Sequence, residues 1–367
     1  MGRVLQTAGW PWRLAVGVLA LAALAHGAWH LLQARDGVNV QREIVAATPV
    51  TVFRPAAPPA GAAPPVVVIA HGFAGSQQLM QPLALTLARN GYIAVTFDFP
   101  GHGRNALPMR GGLADPDASL RVLLASLDEM ATWARGLAAP GAGYALLGHS
   151  MASDIVVRHA QAHPEVRATV ALSLFAPSIT AETPPDSPRN LLVIDGAWEP
   201  AVMHTEALRV VGRGAGPDAQ ERVTYGRFDD GTARRAAYAP GVEHISVLYS
   251  TDTAAETLAW FDQVYGRTPA PQPFVAGYGG PLGALLLGLL GLAWMLAPAL
   301  PRVAASDMPR TASATAPWPW RRFWLLAVLP ALATPLLLWK LPSDWLPILL
   351  GDYLVLHFGL YGLLTAA

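Results

Sequence analysis

One stretch constrains this chain more than any other: Tyr144-Ala145-Leu146-Leu147-Gly148-His149-Ser150-Met151-Ala152-Ser153. Its first four residues read as a buried strand, and the apolar pattern after Met151 reads as a helix. Between the two lies Gly-x-Ser-x-Ala. A serine held on a sharp strand-to-helix turn needs small residues two positions before and two after it, because the backbone is crowded there. Gly148 and Ala152 meet that requirement, with Ala152 standing where a second glycine is usual. The motif by itself recurs by chance; its weight comes from the strand before it and the helix after it.

The surrounding sequence supplies more of the same alternation. Apolar runs at Pro65–Ala70, Tyr92–Phe99, Tyr144–Leu147, Ala168–Phe175 and Asn190–Ile194 are separated by helical patterns at Gln77–Asn90, Leu120–Leu137, Met151–His163, Val202–Val211 and Thr253–Val264. Strand and helix in alternation signal βαβ units and a mostly parallel sheet. Val66-Val67-Val68-Ile69 is too continuously apolar for a strand with one wet face, so that strand is expected to be covered on both sides. Gln41–Arg54 reads as an opening pair of strands and Arg234–Ala239 as the final one. No internal repeat is visible.

Outside this region the composition changes. The whole chain is 53% apolar and 14% charged, against about 25% charged in an ordinary soluble domain. Leu14–Leu32 carries no Asp, Glu, Lys or Arg and is long enough, as a helix, to cross a bilayer. It is either an uncleaved signal anchor or a cleavable signal peptide. Ala23-Leu24-Ala25 offers a cleavage site, whereas the apolar run that continues through Trp29 to Leu32 favours an anchor. His26 and His30, one turn apart, read as polar residues near a helix end rather than a ligand pair. Residues 267–281 are a linker by their Pro and Gly content. Three further apolar spans follow, near Leu282–Leu300, Phe323–Leu341 and Leu346–Leu364, the second kinked at Pro330 and Pro335. The division is therefore 1–36 (N-terminal anchor), 37–266 (globular domain), 267–281 (linker) and 282–367 (three transmembrane helices). The loop between the first two C-terminal spans holds Arg302, Arg310, Arg321 and Arg322 against Asp307 alone, which marks it as cytoplasmic. Arg3 and Arg13 ahead of the first span give the same orientation, so the globular domain is expected outside a multi-pass membrane, read as a bacterial inner membrane. Asp352 and His357 inside the last span are functional candidates by position, though too far around a helix to pair. No polar tail follows that span, which leaves open whether the sequence is complete at Ala367.

The net charge of zero gives no global field for nucleic acid, and the absence of cysteine excludes disulfides, thiolate catalysis and cysteine metal sites. Two more motifs carry chemistry. Ile69-Ala70-His71-Gly72-Phe73-Ala74-Gly75-Ser76 follows the first buried strand, and Phe97-Asp98-Phe99-Pro100-Gly101-His102-Gly103-Arg104 follows the second. With the Gly-x-Ser-x-Ala turn, these make residues 39–266 resemble the α/β-hydrolase family, in particular its dienelactone-hydrolase-like and lysophospholipase-like branch.

That resemblance implies a triad in the order Ser, acid, His. It makes Ser150 the nucleophile and His244, after the final strand, its base. His159, His163 and His204 fall on helical stretches and are expected to face solvent. The acid is three residues past the strand-ending Gly196, at Glu199, with Asp195 as rival; Glu243 is poorly placed to hold the ring of its neighbour. The N–H groups of Phe73 and Met151 form the oxyanion hole. His71 is expected to anchor its loop, and Asp98 and His102 to stabilise a turn. No metal or cofactor is required. Residues 176–189 leave no room for a large cap, so the site is expected to be open, bordered by Asn105–Pro116 and Ala176–Arg189. Phe73, Met80, Met151 and Trp198 are candidates to line an apolar acyl pocket, or equally core. The expected partner is a small-molecule or lipid-like acyl substrate, with peptidase, thioesterase or acyltransferase activity as alternatives. A ligand-sensing module coupled to the membrane helices is the non-enzymatic reading.

Overall fold

A computed structural model describes residues 10–57, 63–112, 115–216, 218–299, 320–341, 346 and 348–366. The chain divides into two units, Ala28–Leu282 and Met1–Gly27 with Gly283–Ala367.

The larger unit is built on one eight-stranded sheet: β1 (Val38–Val45), β2 (Thr48–Pro55), β3 (Val66–Ala70), β4 (Ile93–Phe97), β5 (Tyr144–His149), β6 (Val166–Leu172), β7 (Leu191–Gly196) and β8 (Arg234–Ala239), in the order β1-β2-β4-β3-β5-β6-β7-β8. β1 and β2 form the expected opening pair, antiparallel to each other, and β2 runs antiparallel to β4. From β4 through β8 every pairing is parallel. Helices α2 (Gln81–Arg89), α3 (Pro116–Arg135), α4 (Met151–Ala162), α5 (Ala201–Ala215) and α6 (Thr251–Val264) connect and cover the sheet; α1 (Trp10–Gln33) precedes it.

The continuous apolar runs are explained by this layering. All five residues of β3 and all of β4 are buried, because helices cover both faces of the central strands. One core gathers Val67, Ile69, Leu85, Leu147, Val170 and Phe261; a second, on the opposite face, gathers Val66, Val68, Phe97, Leu127, Leu146 and Val156. Alternate residues of the same strand fall in different cores, as the two-residue period of a strand requires. Between β6 and β7 the chain forms no helix or strand, so no cap stands over the sheet there.

Of residues 267–281, a linker by composition, 267–278 form no helix or strand but are docked on the domain, and 279–281 already belong to the next helix. The Ala276 N–H donates to Thr86 Oγ1, Asn90 donates to the Phe274 carbonyl, and the Arg89 guanidinium lies 3.8 Å over the Phe274 ring.

In the smaller unit, α1 and α7 (Gly279–Leu296) are long and apolar enough to cross a membrane. The Arg13 guanidinium stacks over the Trp294 ring at 4.6 Å. The two remaining apolar helices, α8 (Trp320–Leu338) and α9 (Gly351–Ala366), have 19 and 16 residues. The apolar part of α8 is Phe323–Leu338, short for a span, so among the described residues two helices, against the four expected, are long and apolar enough to cross a membrane. Leu341 and Leu346 lie outside α8 and α9, since both helices are bounded more tightly than the hydropathy pattern. Asp352, in the first turn of α9, accepts from the Leu346 N–H at 2.8 Å, a bond to the segment ahead of the helix. Arg3, Arg302, Asp307 and Arg310 lie outside the described residues.

Candidate active site

Ser150 sits between β5 and α4 with φ of 51°. This left-handed backbone is strained for a residue with a Cβ, and the crowded turn holds it there. A Cβ on Gly148 would lie 2.4 Å from the Ala152 carbonyl oxygen, so only glycine fits at that position. The Ser150 N–H donates to the Leu172 carbonyl on β6, and Ser153 Oγ donates to the Ser150 carbonyl. The hydroxyl is thereby turned out at the C-terminal edge of the sheet.

Two loops at the same edge bring the partners. After β8, residues 240–245 carry His244, whose Nε2 lies 2.8 Å from Ser150 Oγ. After β7, the chain turns so that Glu199 Oε1 lies 2.5 Å from His244 Nδ1. The loops are tied by backbone bonds: Trp198 N–H donates to the Val242 carbonyl and Ala197 N–H to the Ala239 carbonyl. Glu199 also accepts from the Gly196 N–H and from Ser173 Oγ through its other oxygen. With Glu199 on Nδ1, the hydrogen-bond network assigns the ring proton to that nitrogen and leaves Nε2 free to accept.

The electrostatics agree with the geometry. The hydrogen bond to Glu199 raises the His244 pKa above its ordinary 6.5, against the opposing effect of partial burial. Burial alone would push Glu199 up, but hydrogen bonds from His244, Gly196 and Ser173 outweigh it and hold the carboxyl below its usual range. Asp195 stands apart. It is fully buried, neither of its oxygens accepts a well-formed hydrogen bond, and burial together with the nearby Glu199 charge pushes it up to about 8. Glu199 is therefore the carboxylate that reaches the ring, and Asp195 is a largely neutral acid beneath it. Glu243 turns away, accepting from the Ile245 and Ser246 N–H groups of its own loop.

The loop after β3 lies against the serine: a Cβ on Gly72 would meet Ser150 Cβ at 3.0 Å and His149 Nδ1 at 2.8 Å. Among the described residues, the N–H groups of Phe73 and Met151 meet no intramolecular acceptor. His71 anchors this loop, as expected. It is buried, accepts from the Phe99 N–H through Nε2 and donates from Nδ1 to the Gly72 carbonyl; burial lowers its pKa to about 4. Asp98 stabilises its turn by accepting from the Gln77 backbone and side-chain amides and the Arg104 N–H.

Met80, a candidate for pocket or core, is fully buried in the core at the start of α2. Two readings need correction. His159 does not face solvent. It is buried beside Tyr144, whose hydroxyl lies 2.7 Å from Nε2, because its position on α4 turns inward toward β5. His204 is half-buried rather than exposed, stacked on Tyr238 with Nε2 at 3.0 Å from the Gly196 carbonyl.

One residue was missed. His149, the unspecified position before the serine, is buried, with Nε2 at 2.8 Å from the His244 carbonyl oxygen. Burial lowers its pKa to about 4, so it is neutral. An imidazole inside an otherwise apolar strand was the available signal.

The mouth of the site is apolar. Among the described residues between 37 and 266, the large apolar side chains exposed to solvent are Ile44, Val223 and six others: Phe73, Leu107, Phe175, Trp198, Val202 and Ile245. Those six all follow the C-terminal ends of strands, on the side where Ser150 emerges; Trp198 is 72% exposed and Phe175 60%. Such concentration marks a contact surface, since singly scattered apolar residues would be spread over the domain.

Residues 61–205 match the family model described as serine aminopeptidase, S33. No curated protein matches the sequence closely enough to stand as a relative. Among solved structures, a CIB-like hydrolase from Thermoplasma acidophilum is 16% identical, with a TM-score of 0.45, over 61% of this chain and 99% of its own. A membrane phospholipase A described as a bacterial virulence factor is 15% identical, with a TM-score of 0.44, over 72% and 99%. A lipase in its open form is 14% identical, with a TM-score of 0.45, over 63% and 100%. At such identities none of them assigns a substrate to this chain.

Proposed function

We propose that this chain, whose residues 37–266 have the α/β-hydrolase fold, is a membrane-anchored serine hydrolase that cleaves carboxylic esters of apolar acyl groups. The observation that carries the reading is the continuous hydrogen-bonded line Ser150–His244–Glu199. His244 takes the Ser150 proton as the hydroxyl attacks the acyl carbonyl, and returns it to the leaving alcohol. Glu199 fixes the tautomer and stabilises the imidazolium. The Phe73 and Met151 N–H groups, which meet no acceptor among the described residues, receive the developing oxyanion, and removing such a donor costs roughly 10²–10³ in rate. Water, activated by the same imidazole, then frees the acid from Ser150. Nothing in this sequence of steps calls for a metal or cofactor.

The acyl class is inferred from the apolar mouth and the missing cap. An acyl chain laid across Phe73, Phe175 and Trp198 would remove apolar surface from water on both sides, worth about 25 cal/mol per Å². The anchoring rests on α1 and α7, joined by the shorter α8 and α9 as a four-helix multi-pass segment. The arginine-rich sequence between α7 and α8 supports an extracytoplasmic side for the domain, at an inner membrane.

The test uses the full chain in detergent with p-nitrophenyl esters of increasing acyl length. Turnover that rises from acetyl toward medium or long chains and disappears in Ser150→Ala supports the reading; retained turnover in that variant overturns it. The matching family model favours a second reading, removal of an N-terminal amino acid from a peptide. Aminoacyl-p-nitroanilides separate the two: cleavage of these in preference to esters makes the chain a peptidase.

A further inference from the structure

The domain carries a second cluster of metal-ligating side chains that the hydrolytic reading leaves unused. Asp128 on α3 and His159 and His163 at the end of α4 converge so that one ligand atom from each lies within 4.8 Å of the others. Asp128 Oδ1 is 2.7 Å from His159 Nδ1 and 3.2 Å from His163 Nε2. Two donors on one tetrahedral zinc ion stand roughly 3.3 Å apart, which the Asp128–His163 separation matches; the exposed Asp128 carboxylate would draw back from His159 by about half an ångström to admit the ion.

The geometry points to a divalent-cation site of the zinc type, formed by His159 Nδ1, His163 Nε2 and Asp128 Oδ1. Two further observations support it. His159 is 3% exposed, and its Nδ1 lacks a hydrogen bond although the Asp128 oxygen is close, because that oxygen lies off the direction an N–H would take. The nitrogens facing away from the cluster have oxygen neighbours: His159 Nε2 lies 2.7 Å from the Tyr144 hydroxyl, and His163 Nδ1 lies 3.6 Å from Glu165 Oε1. Metal-ligating histidines characteristically present their other N–H to an oxygen, which fixes the tautomer that offers a lone pair to the ion. In the tautomer that carries its proton on Nε2, donated to the Tyr144 hydroxyl, His159 Nδ1 offers a lone pair beside the Asp128 carboxylate, and a cation bound to both would relieve their repulsion.

The two rings are stacked, with centroids 4.1 Å apart and planes 17° from parallel. An ion in line with both lone pairs requires one ring to swing. His163 is the one able to do so, since it caps α4 and its side chain is 36% exposed. Two imidazoles and a carboxylate with a solvent-facing fourth position suit Zn²⁺ over the hard cations Mg²⁺ and Ca²⁺. Such an ion would clamp α3 to the far end of the helix that begins at Met151, stabilising the scaffold of the nucleophile turn without touching the reaction.

The test is calorimetric titration of Zn²⁺ into the full chain in detergent, purified on a histidine-free tag and stripped with EDTA. One saturable Zn²⁺ per chain is expected, with affinity at least tenfold weaker in both His163→Ala and Asp128→Asn and unchanged in Ser150→Ala. At a hundredfold excess over its Kd, the ion should raise the Tm of the parent by about 5–10 °C and that of the two ligand variants by less than half as much. Circular dichroism confirms that these surface variants are folded. No saturable binding in the parent, or binding that both ligand variants retain in full, overturns the site. Since ester turnover is not a readout, failure here is distinct from failure of the hydrolase reading.

Discussion

His149 Nε2 lies 2.8 Å from the backbone carbonyl of His244, so the residue before the serine latches the loop that carries the serine's hydrogen-bond partner. Its ring stands 5.0 Å from that of His244, and its burial keeps it neutral, so it supplies a hydrogen bond and a packing surface without a second positive charge beside the imidazolium. Replacing it with Phe keeps the bulk and removes the donor. An angstrom of misplacement at a reacting group costs on the order of 10²-fold. His149→Phe is therefore expected to lose kcat roughly 10- to 100-fold with KM little changed, and His149→Gln, which can still donate, to recover most of that loss. Equal losses in the two variants, or a loss confined to KM, would contradict the positioning role.

Glu199→Gln keeps the shape of the acid and removes its charge. By analogy with other triads that lose this charge, kcat is expected to fall by about 10³-fold or more. Asp195→Asn, on β7 four residues earlier and with no hydrogen bond to the ring, is expected to leave kcat within a few-fold. Steady-state kinetics on a soluble ester checks both. A larger loss in Asp195→Asn would make Asp195 the working acid.

Catalysis needs His244 neutral in the free enzyme. Its pKa is raised above 6.5 by the bond to Glu199, so kcat/KM is expected to rise with pH and level off above an inflection higher than 6.5. Glu199→Gln removes the carboxylate that favours the imidazolium, so the inflection should move down in pH even as the plateau collapses. An inflection that moves up, or none, would contradict the assignment of His244 as base.

Asp195 gives a separate prediction about stability. Its folded pKa of about 8 lies well above the unfolded value of 3.8. Between these two values the folded state holds a proton that the unfolded state has released. Stability is therefore fully present below about pH 4 as far as this group is concerned, and falls as pH rises toward 8. Asp195→Asn removes the titration, so its Tm should depend less on pH over that window than that of the parent. Thermal unfolding at several pH values measures the difference, and parallel Tm curves for the two proteins would contradict the buried neutral acid.

The sequence made the sheet, the turn at Ser150 and the candidate triad legible because each rests on a local signal. Val66–Ile69 is apolar at every position, Gly148 and Ala152 flank the serine at the spacing a tight turn demands, and His244 is the histidine that follows the last strand. Glu199 could be ranked over Asp195 only through the family resemblance; which carboxylate reaches an imidazole forty-five residues later depends on how two loops are tied, here by Trp198 N–H on the Val242 carbonyl. His149 was hidden because its partner is a backbone carbonyl, which leaves no trace in residue type. His159 was misread because helical spacing does not say which face meets the sheet, and that is set by the packing of Tyr144. The docking of Phe274 and Ala276 was likewise invisible in a segment whose Pro and Gly content reads as linker.

The most direct measurement is covalent labelling of the full chain with a fluorophosphonate, followed by peptide mass spectrometry. The account predicts one phosphonylated residue, Ser150, in the parent; no labelling in Ser150→Ala; and labelling at least 10²-fold slower in His244→Ala, where the proton acceptor 2.8 Å from the hydroxyl is gone. An unlabelled parent, or a label found on another serine, would contradict it.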